Sequence, residues 1–265
     1  MIEEAGRARG AADLLKRLEE LSHIGIALSQ ERDINKLLER ILIAAKDITH
    51  ADGGTLYRMT EEKTLKFEIF RNDTLGIAMG GTTGVEIPFY PIYLFDKDGK
   101  PVLSMVAAYA VHEDRSVNIA DAYTEAGFDF TGTQNFDKKT GYRSKSFLTM
   151  PMKNHEGLII GVLQLINAKD PRTGEVVAFS DTDQHLAESL ASQAAIALTN
   201  RLLTNHLENL FESFITLINA AIDDKSPYTG GHCQRVPMLT MMLAEAVDRC
   251  RVGPLRDFKM TERDR

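Results

Sequence analysis

Cysteine is scarce in this chain of 265 residues, and both copies, Cys233 and Cys250, lie near the C-terminal end. So few cysteines exclude a disulfide-stapled fold. The N-terminal residues, which include Glu3, Glu4 and Arg7, contain no apolar segment of the kind found in a secretory signal peptide. We therefore expect a reduced, cytoplasmic location.

Positive charge is also limited, because 31 Lys and Arg residues stand against 38 Asp and Glu residues and the net charge is −7. That balance, without a cluster of basic residues, argues against nucleic acid or an anionic membrane as the main partner. No apolar run is long enough to cross a membrane.

The sequence lacks the patterns of an independent enzyme. The glycine-rich segment at residues 80–84 has no Lys-Ser/Thr ending, which a phosphate-binding P-loop requires, and we interpret it as a flexible loop. We also find no nucleophile elbow and no cluster of metal ligands.

The N-terminal part has helical spacing. Residues 1–11 are small and charged, and we predict that they are flexible. Apolar residues then recur at helical spacing from Leu14 to Leu28. Asp33 is placed to cap a second helix, whose apolar face is Leu37, Leu38, Ile41, Leu42, Ala45 and Ile48. The glycines of Asp52-Gly53-Gly54 interrupt that helical pattern.

The next elements are shorter. Residues 55–59 and 64–70 predict a hairpin, residues 102–111 a helix, and residues 117–119 a strand. A loop follows, with a tight turn at residues 137–141 in which Gly141 supplies the backbone freedom. Residues 146–152 and 158–166 have the composition of buried strands.

These last strands carry a family resemblance. The pattern FD-x-x-TG-Y-R-S, then a strand ending in Met-Pro-Met, then G-V-L-Q-L-I-N-A-K, closely resembles the GAF domain, a small-molecule sensor fold. It is most similar to GAF domains that precede cyclic nucleotide phosphodiesterases and cyclases. Their Asn-Lys…Phe…Asp signature corresponds here to Asn167, Lys169, Phe179 and Asp183. Ala168 separates Asn167 from Lys169, whereas the family usually has the two adjacent.

The resemblance implies an α+β fold over residues 12–198, with a central antiparallel sheet flanked by helices. It also implies a small-molecule pocket beneath the loop of residues 128–137, with a cyclic nucleotide as the first ligand to consider. The side chains that we expect to contact the ligand are Tyr57, Phe67, Phe128, Phe130, Phe136, Asp137 and Gln164. Packing within the domain is the alternative for the aromatic rings, and Asp137 and Arg143 could instead bond to each other.

Two chromophore classes of this family can be weighed from the sequence. A covalently attached bilin is not expected, because no cysteine lies in residues 1–232. Haem stays an alternative, although none of the histidines before residue 232 has a recognisable context; they are His23, His50, His112, His155, His185 and His206.

A long helix is predicted to begin after Phe179, where Ser180 and Asp183 form a capping arrangement. One apolar stripe of this helix is Leu186, Leu190, Ala194 and Ala197, and a second is Leu203, Leu207, Leu210, Phe214, Leu217 and Ala221. The spacing of the second stripe, by fours and threes, predicts a parallel homodimer. Residues 199–223 would then be a signalling helix. A lone helix packed on its own domain is the alternative.

Residues 224–265 carry a second resemblance. The motif K-S-P-Y-T-G-G-H-x-x-R-V, followed by an amphipathic helix, closely resembles the start of the all-α HD-GYP domain, which hydrolyses cyclic di-GMP. The resemblance implies that His232 is a metal ligand. Tyr228 stands where some members have the Glu that holds a third metal, so two divalent metals, iron or manganese, are expected in the complete protein.

The HD-GYP pattern is incomplete in this chain, which has no His-Asp pair and no histidine after His232. We therefore expect no cofactor and no activity in this chain by itself. The two resemblances together predict an intracellular, ligand-sensing regulatory GAF domain of a bacterial HD-GYP cyclic di-GMP phosphodiesterase. The alternative is a dimerisation or interaction module with no small-molecule ligand.

Overall fold

Helices and strands alternate along the chain in a computed structural model that describes residues 2–225 and 231–261, with side chains for residues 15–222, 231 and 235–261. The helices are α1 (Ile2–Gln30), α2 (Ile34–Thr49), α3 (Val106–His112), α4 (Thr131–Thr140), α5 (Asp181–Lys225) and α6 (His232–Asp248). The strands are β1 (Ala51–Met59), β2 (Thr64–Asn72), β3 (Ile77–Gly80), β4 (Ile92–Tyr93), β5 (Val117–Ile119), β6 (Phe147–Lys153), β7 (Ile159–Lys169) and β8 (Val176–Val177).

The chain divides into two compact units, Met1–Leu202 and Leu203–Arg265. The first unit contains all of the strands named above. The described part of the second unit contains the end of α5 and α6, and no strand. An α+β unit is therefore followed by a helical one.

An antiparallel sheet with the strand order β3-β2-β1-β7-β6-β5 forms the centre of the first unit. The short strand β4 adds to β2, and β8 adds to β7. The β1–β2 hairpin, β5, β6 and β7 agree with the strands predicted from alternation and composition. The central pair, β1 and β7, consists mainly of buried residues, as expected for strands covered on both faces.

One face of the sheet is closed by α1, α2 and the first half of α5. Their apolar side chains join those of the strands in one core, which includes Leu37, Ile41, Leu163, Leu190 and Ala194. Gly54 of β1 allows α2 to approach closely, since a Cβ there would lie 2.8 Å from the Leu42 side chain. The glycines at residues 53 and 54 thus lie inside a strand, just beyond the end of α2.

The opposite face is covered by the shorter helices and loops. Around α3, a small apolar cluster includes Leu65, Leu94 and Ala108. A second cluster joins Phe130, at the start of α4, to Phe147 of β6. Because α3 and α4 are short, they cover this face incompletely, and the candidate site lies here.

The predicted helix caps are present. The Asp33 carboxylate accepts hydrogen bonds from the backbone N–H groups of Asn35 and Lys36, at 2.8 and 3.1 Å. The Ser180 hydroxyl accepts from the Asp183 N–H at 3.1 Å, and the Asp183 carboxylate accepts from the Ser180 N–H at 3.1 Å. This reciprocal pair is the capping box that the sequence predicts.

Helix α1 begins at Ile2, within the segment of residues 1–11 for which we predict flexibility. Two predictions of local structure need correction. Residues 131–140 form helix α4 in place of a loop and turn, and Gly141 ends that helix with φ 73°. The glycine-rich segment at 80–84 contains a 3₁₀ helix, Gly81–Thr83, which Glu39 of α2 holds by accepting from the Thr82 N–H at 2.9 Å.

Candidate functional site

A cavity of about 320 Å³ lies between the sheet and the elements on its less covered face. Strands β1, β2, β6 and β7 form its floor, and residues from α3, α4 and the segment before β4 form its walls. Its volume is at the lower end of the range of small-molecule sites, which is about 300–1,000 Å³. The cavity is therefore large enough for a compact organic ligand.

Most of the predicted contact residues line this cavity. Tyr57, Phe67, Phe130, Phe136 and Gln164 all face it. Phe128 is not part of the lining, and its ring packs edge-on against Tyr109 at a centroid distance of 5.1 Å. Asp137 is also absent from the lining.

A β-bulge brings two phenylalanines of β2 to the cavity. Phe67 and Phe70 are three residues apart, so a regular strand would place them on opposite faces of the sheet. The pairing of β1 with β2 skips Glu68, since Leu56 pairs with Ile69 and Tyr57 with Phe67. Both rings therefore line the cavity. Sequence alternation alone could not reveal Phe70, because it gives no sign of the bulge.

Aromatic rings form a continuous wall. The Phe67 ring lies 4.7 Å from Tyr57 and 5.3 Å from Phe89, between centroids. The Phe70 ring meets Phe89 at 5.7 Å and Phe136 at 6.0 Å, both edge-on. These geometries are the ones that aromatic pairs prefer, and they present flat apolar surfaces to a ligand. Phe89, like Phe70, was missed from the sequence because it lies in a segment without periodicity.

The floor carries one fixed polar chain. The Tyr57 hydroxyl donates to the Gln164 side-chain oxygen at 3.1 Å, and the Gln164 amide nitrogen donates to the Thr149 hydroxyl at 2.9 Å. Burial raises the pKa of Tyr57, so its hydroxyl stays protonated at neutral pH. The floor therefore offers neutral hydrogen-bonding groups with defined positions.

An ion pair with a buried carboxylate lies next to the cavity. The Asp52 side chain is fully buried and pairs with Lys169. It also accepts from the Thr74 hydroxyl at 2.7 Å and from the Tyr142 hydroxyl at 2.5 Å. Because Tyr142 lines the cavity, its hydroxyl connects the cavity wall to this ion pair.

Burial and hydrogen bonds together set the protonation states of Asp52 and Tyr142. Burial by itself would raise the pKa of Asp52, but hydrogen bonds from Lys169, Tyr142 and Thr74 outweigh that effect and hold the pKa below its usual value. Burial and the neighbouring Asp52 carboxylate raise the pKa of Tyr142. At neutral pH Asp52 is therefore an ionised carboxylate and Tyr142 a protonated phenol.

Comparison with protein families identifies the fold that carries this cavity. The family model described as GAF domain matches residues 33–198. The chain belongs to the GAF domain family.

The chain is similar in sequence to segments of much longer proteins. Over 181 residues it is 30% identical to the cGMP-specific 3',5'-cyclic phosphodiesterase of Drosophila melanogaster, covering 65% of this chain and 14% of that protein. Over 178 residues it is 30% identical to the dual 3',5'-cyclic-AMP and -GMP phosphodiesterase 11A of Takifugu rubripes, covering 65% of this chain and 17% of that protein. The similarity thus spans less than a fifth of each relative.

Solved structures agree on the GAF fold. The GAF domain of a phosphoenolpyruvate-protein phosphotransferase from Coxiella burnetii matches with a TM-score of 0.54 and 12% identity, over 73% of this chain and 98% of that one. The free methionine-R-sulfoxide reductase of Neisseria meningitidis, solved with its substrate, matches with a TM-score of 0.51 and 14% identity, over 72% of this chain and 93% of that one. At such low identity the likeness shows the fold alone.

The residues of the GAF signature have clear structural roles here. The Asn167 side-chain oxygen accepts from the Lys145 and Ser146 N–H groups at 2.7 and 3.2 Å, which ties the start of β6 to β7. Phe179 is buried in the core against α5. The Lys169 ammonium pairs with Asp52, and the Asp183 carboxylate pairs with Arg17 of α1. Lys169 and Asp183 thus have separate partners.

Asp137 and Arg143 do not pair with each other. The buried Asp137 carboxylate accepts from the Ser144 N–H and hydroxyl, both at 2.8 Å, and from the Tyr123 hydroxyl at 2.9 Å. These bonds leave it turned away from the cavity. Arg143 instead pairs with Asp121 at 3.0 Å and stacks over the Tyr123 ring.

His232 is the predicted metal ligand, and its side chain is not among those that the structure describes. Elsewhere, the residues that the structure describes contain no group of three or more His, Cys, Asp or Glu side chains that could hold a metal ion. No helix within residues 2–225 or 231–261 combines the length and the apolar character needed to cross a membrane.

Proposed function

We propose that residues 12–198 bind a small molecule in the cavity, with a purine cyclic nucleotide as the first candidate, and regulate a phosphodiesterase. The observation that carries this proposal is the cavity of about 320 Å³ with an aromatic wall and a polar floor. Flat rings such as Phe70 and Phe136 suit stacking on a purine. The Tyr57–Gln164 chain suits hydrogen bonds to its edge.

The relatives support the choice of ligand class, because two of them are named as phosphodiesterases of cGMP or of cAMP and cGMP. The cavity volume favours a mononucleotide over cyclic di-GMP, which has two guanines and needs about twice the space. All three nucleotides should still be tested against the same protein.

Titration calorimetry of the whole chain with cGMP, cAMP and cyclic di-GMP is the direct test. Phe136→Ala and Gln164→Ala are expected to weaken binding by about three- to tenfold each, because each removes a ligand contact. Tyr93→Ala is the matched control, since Tyr93 is an exposed aromatic residue outside the cavity lining. If none of the three nucleotides binds, and mass spectrometry finds no small molecule copurified, an interaction module without a ligand is the better account.

For the C-terminal part, we propose that residues 224–265 are the first segment of an HD-GYP domain. The sequence motif that ends in His232 supports this, together with α6, on which Leu239 and Leu243 are exposed. Exposed apolar residues of this kind suit a helix that other helices of a domain would cover. In the complete protein the ligand signal would then regulate cleavage of cyclic di-GMP.

This chain by itself is expected not to hydrolyse cyclic di-GMP. A single imidazole cannot hold the two metals that such cleavage requires. The assay adds manganese or ferrous iron to the chain, and to a chain extended through the further histidines that the family requires. Turnover by residues 1–265 that is lost in His232→Ala would overturn this expectation.

The second half of α5 supports a parallel homodimer. The side chains of Leu203, Leu207, Leu210, Phe214 and Leu217 are 51–68% exposed in the single chain. Their spacing gives one continuous seam, and a second copy would cover it. The homodimer is therefore part of the proposed function.

A further inference from the structure

The cavity has an unbalanced charge. Among the described residues that line it, Arg71 and Asp129 carry charge at neutral pH. The Arg71 guanidinium pairs with Glu39 at 2.8 Å, and both side chains are largely buried. Since Glu39 belongs to α2, this pair lies toward the helical layer, and its charges cancel. The negative charge of Asp129 is left uncompensated.

Asp129 is fixed at the mouth of the cavity. It is exposed, as are Tyr90 and Gly132, which also line the cavity and mark its open side. Its backbone N–H donates to the Ser104 carbonyl at 2.8 Å, and its carboxylate accepts from the Thr131 N–H at 2.9 Å. No ion pair involves Asp129 within the part of the chain that the structure describes.

The Asp129 carboxylate is ionised at neutral pH. Hydrogen bonds from the Thr131 hydroxyl and N–H hold the pKa of Asp129 below its usual value. A ligand therefore meets a fixed negative charge at the entrance.

The interior directs the charged end of a nucleotide toward that entrance. The walls are aromatic and the floor groups are neutral, so an ionic group would lose its hydration there without a counter-charge. A base can occupy the aromatic interior, and a phosphate is then left at the solvent side, near Asp129. Thr133, in the first turn of α4, lines the cavity, and its hydroxyl and N–H are neutral donors that could bond to one phosphate oxygen.

We propose that Asp129 selects the ligand by charge, so that the cavity prefers a singly charged cyclic phosphodiester or an uncharged nucleoside over phosphomonoesters and polyphosphates. The inference rests on the proposed function, because it assumes that the ligand is a nucleotide. A cyclic nucleotide carries one negative charge, whereas a 5'-monophosphate carries about 1.5–2 at pH 7. Each additional charge is repelled by the carboxylate, which gives specificity through a group that disfavours the competitor.

The test compares three ligands that differ in charge and share the base: guanosine, cGMP and 5'-GMP, with the adenine series beside them. The whole chain, Asp129→Asn and Asp98→Asn are titrated calorimetrically at low and high salt. The Asn side-chain oxygen can accept a hydrogen bond from the Thr131 N–H as the Asp carboxylate does, so the N-terminus of α4 should be preserved. Asp98 is an exposed carboxylate outside the cavity lining and serves as the matched control.

In Asp129→Asn, 5'-GMP should bind about fivefold more tightly, cGMP about twofold, and guanosine equally well, because one exposed charge has been removed. The preference of the unmodified chain for cGMP over 5'-GMP should shrink in high salt. Asp98→Asn should leave all of these values unchanged.

The outcomes separate the two proposals. If the unmodified chain binds cGMP or cAMP but Asp129→Asn leaves the preference over the monophosphate unchanged, the role of Asp129 is refuted and the proposed function stands. Equal affinity of the unmodified chain for cGMP and 5'-GMP also refutes it. If no nucleotide or nucleoside binds, the proposed function fails, and charge selection fails with it.

Discussion

The two halves of α5 have similar apolar content and opposite surroundings. In the first half Leu186, Leu190 and Leu198 are at most 4% exposed. In the second half Leu207 is 65% exposed and Phe214 is 58% exposed. An apolar stripe on a helix therefore indicates that a face is to be covered, but whether the same chain covers it depends on the rest of the fold.

This contrast gives the halves different roles. The first half completes the core beneath the sheet, opposite the cavity. The second half has its seam free for the second copy that we propose. One continuous helix contains both halves.

The largest change in the free energy of unfolding is expected for a core substitution in the covered first half of α5. Leu190→Ala should lower the free energy of unfolding by about 2–5 kcal/mol, because it leaves a cavity in a closed core. Leu158→Ala, at an exposed leucine in the β6–β7 turn, should change it by less than about 0.5 kcal/mol. Urea unfolding followed by circular dichroism measures both, and equal losses would contradict the distinction.

Substitutions in the exposed second half of α5 should instead weaken dimerisation. Leu207→Glu combined with Leu210→Glu places charges in the proposed seam and should weaken dimerisation by at least about a hundredfold. His206→Glu with Asn209→Glu adds the same residues beside the seam and should leave the dimer intact. Light scattering coupled to size exclusion gives the mass, and a monomeric unmodified chain would rule out the dimer.

A smaller effect is expected at the ion pair beside the cavity. Asp52→Asn should cost about 2 kcal/mol of folding free energy, because it leaves the Lys169 ammonium without its counter-charge and weakens the other hydrogen bonds. Asp114→Asn is the control, since Asp114 pairs with Lys153 and both side chains are exposed, at 55% and 40%. Comparable losses for the two variants would show that burial does not strengthen the Asp52 pair.

The smallest expected effect is the contribution of Asp52 to the loss of folding stability at acidic pH. The folded chain holds the pKa of Asp52 below its unfolded value of about 3.9, so the stabilisation is present above that pH and is lost as the pH falls through the folded pKa. Unfolding free energies measured between pH 7 and pH 2.5 should fall more steeply below about pH 4 in the unmodified chain than in Asp52→Asn. Parallel curves would show that Asp52 does not titrate with folding.

Part of the site could be predicted from the sequence. Tyr57 and Gln164 belong to strands with clear patterns, and both line the cavity. Phe70 and Phe89 could not be predicted, because a bulge and an aperiodic segment bring them there. Helix α4 was missed because Gly, Thr and Asn give it low intrinsic helix propensity. Burial of Asp137 and contacts of Phe136 stabilise it only in the folded domain.

The sequence by itself determined the properties that depend on neighbouring residues: the strands β6 and β7, the caps at Asp33 and Ser180, and the uninterrupted length of α5. It also carried the GAF pattern. The tertiary structure alone decided which distant groups meet, such as Lys169 with Asp52 and Asp183 with Arg17. The reason is physical, because periodicity and capping act over a few residues. The partner of a charge and the cover of an apolar face depend on elements that are far apart in the chain.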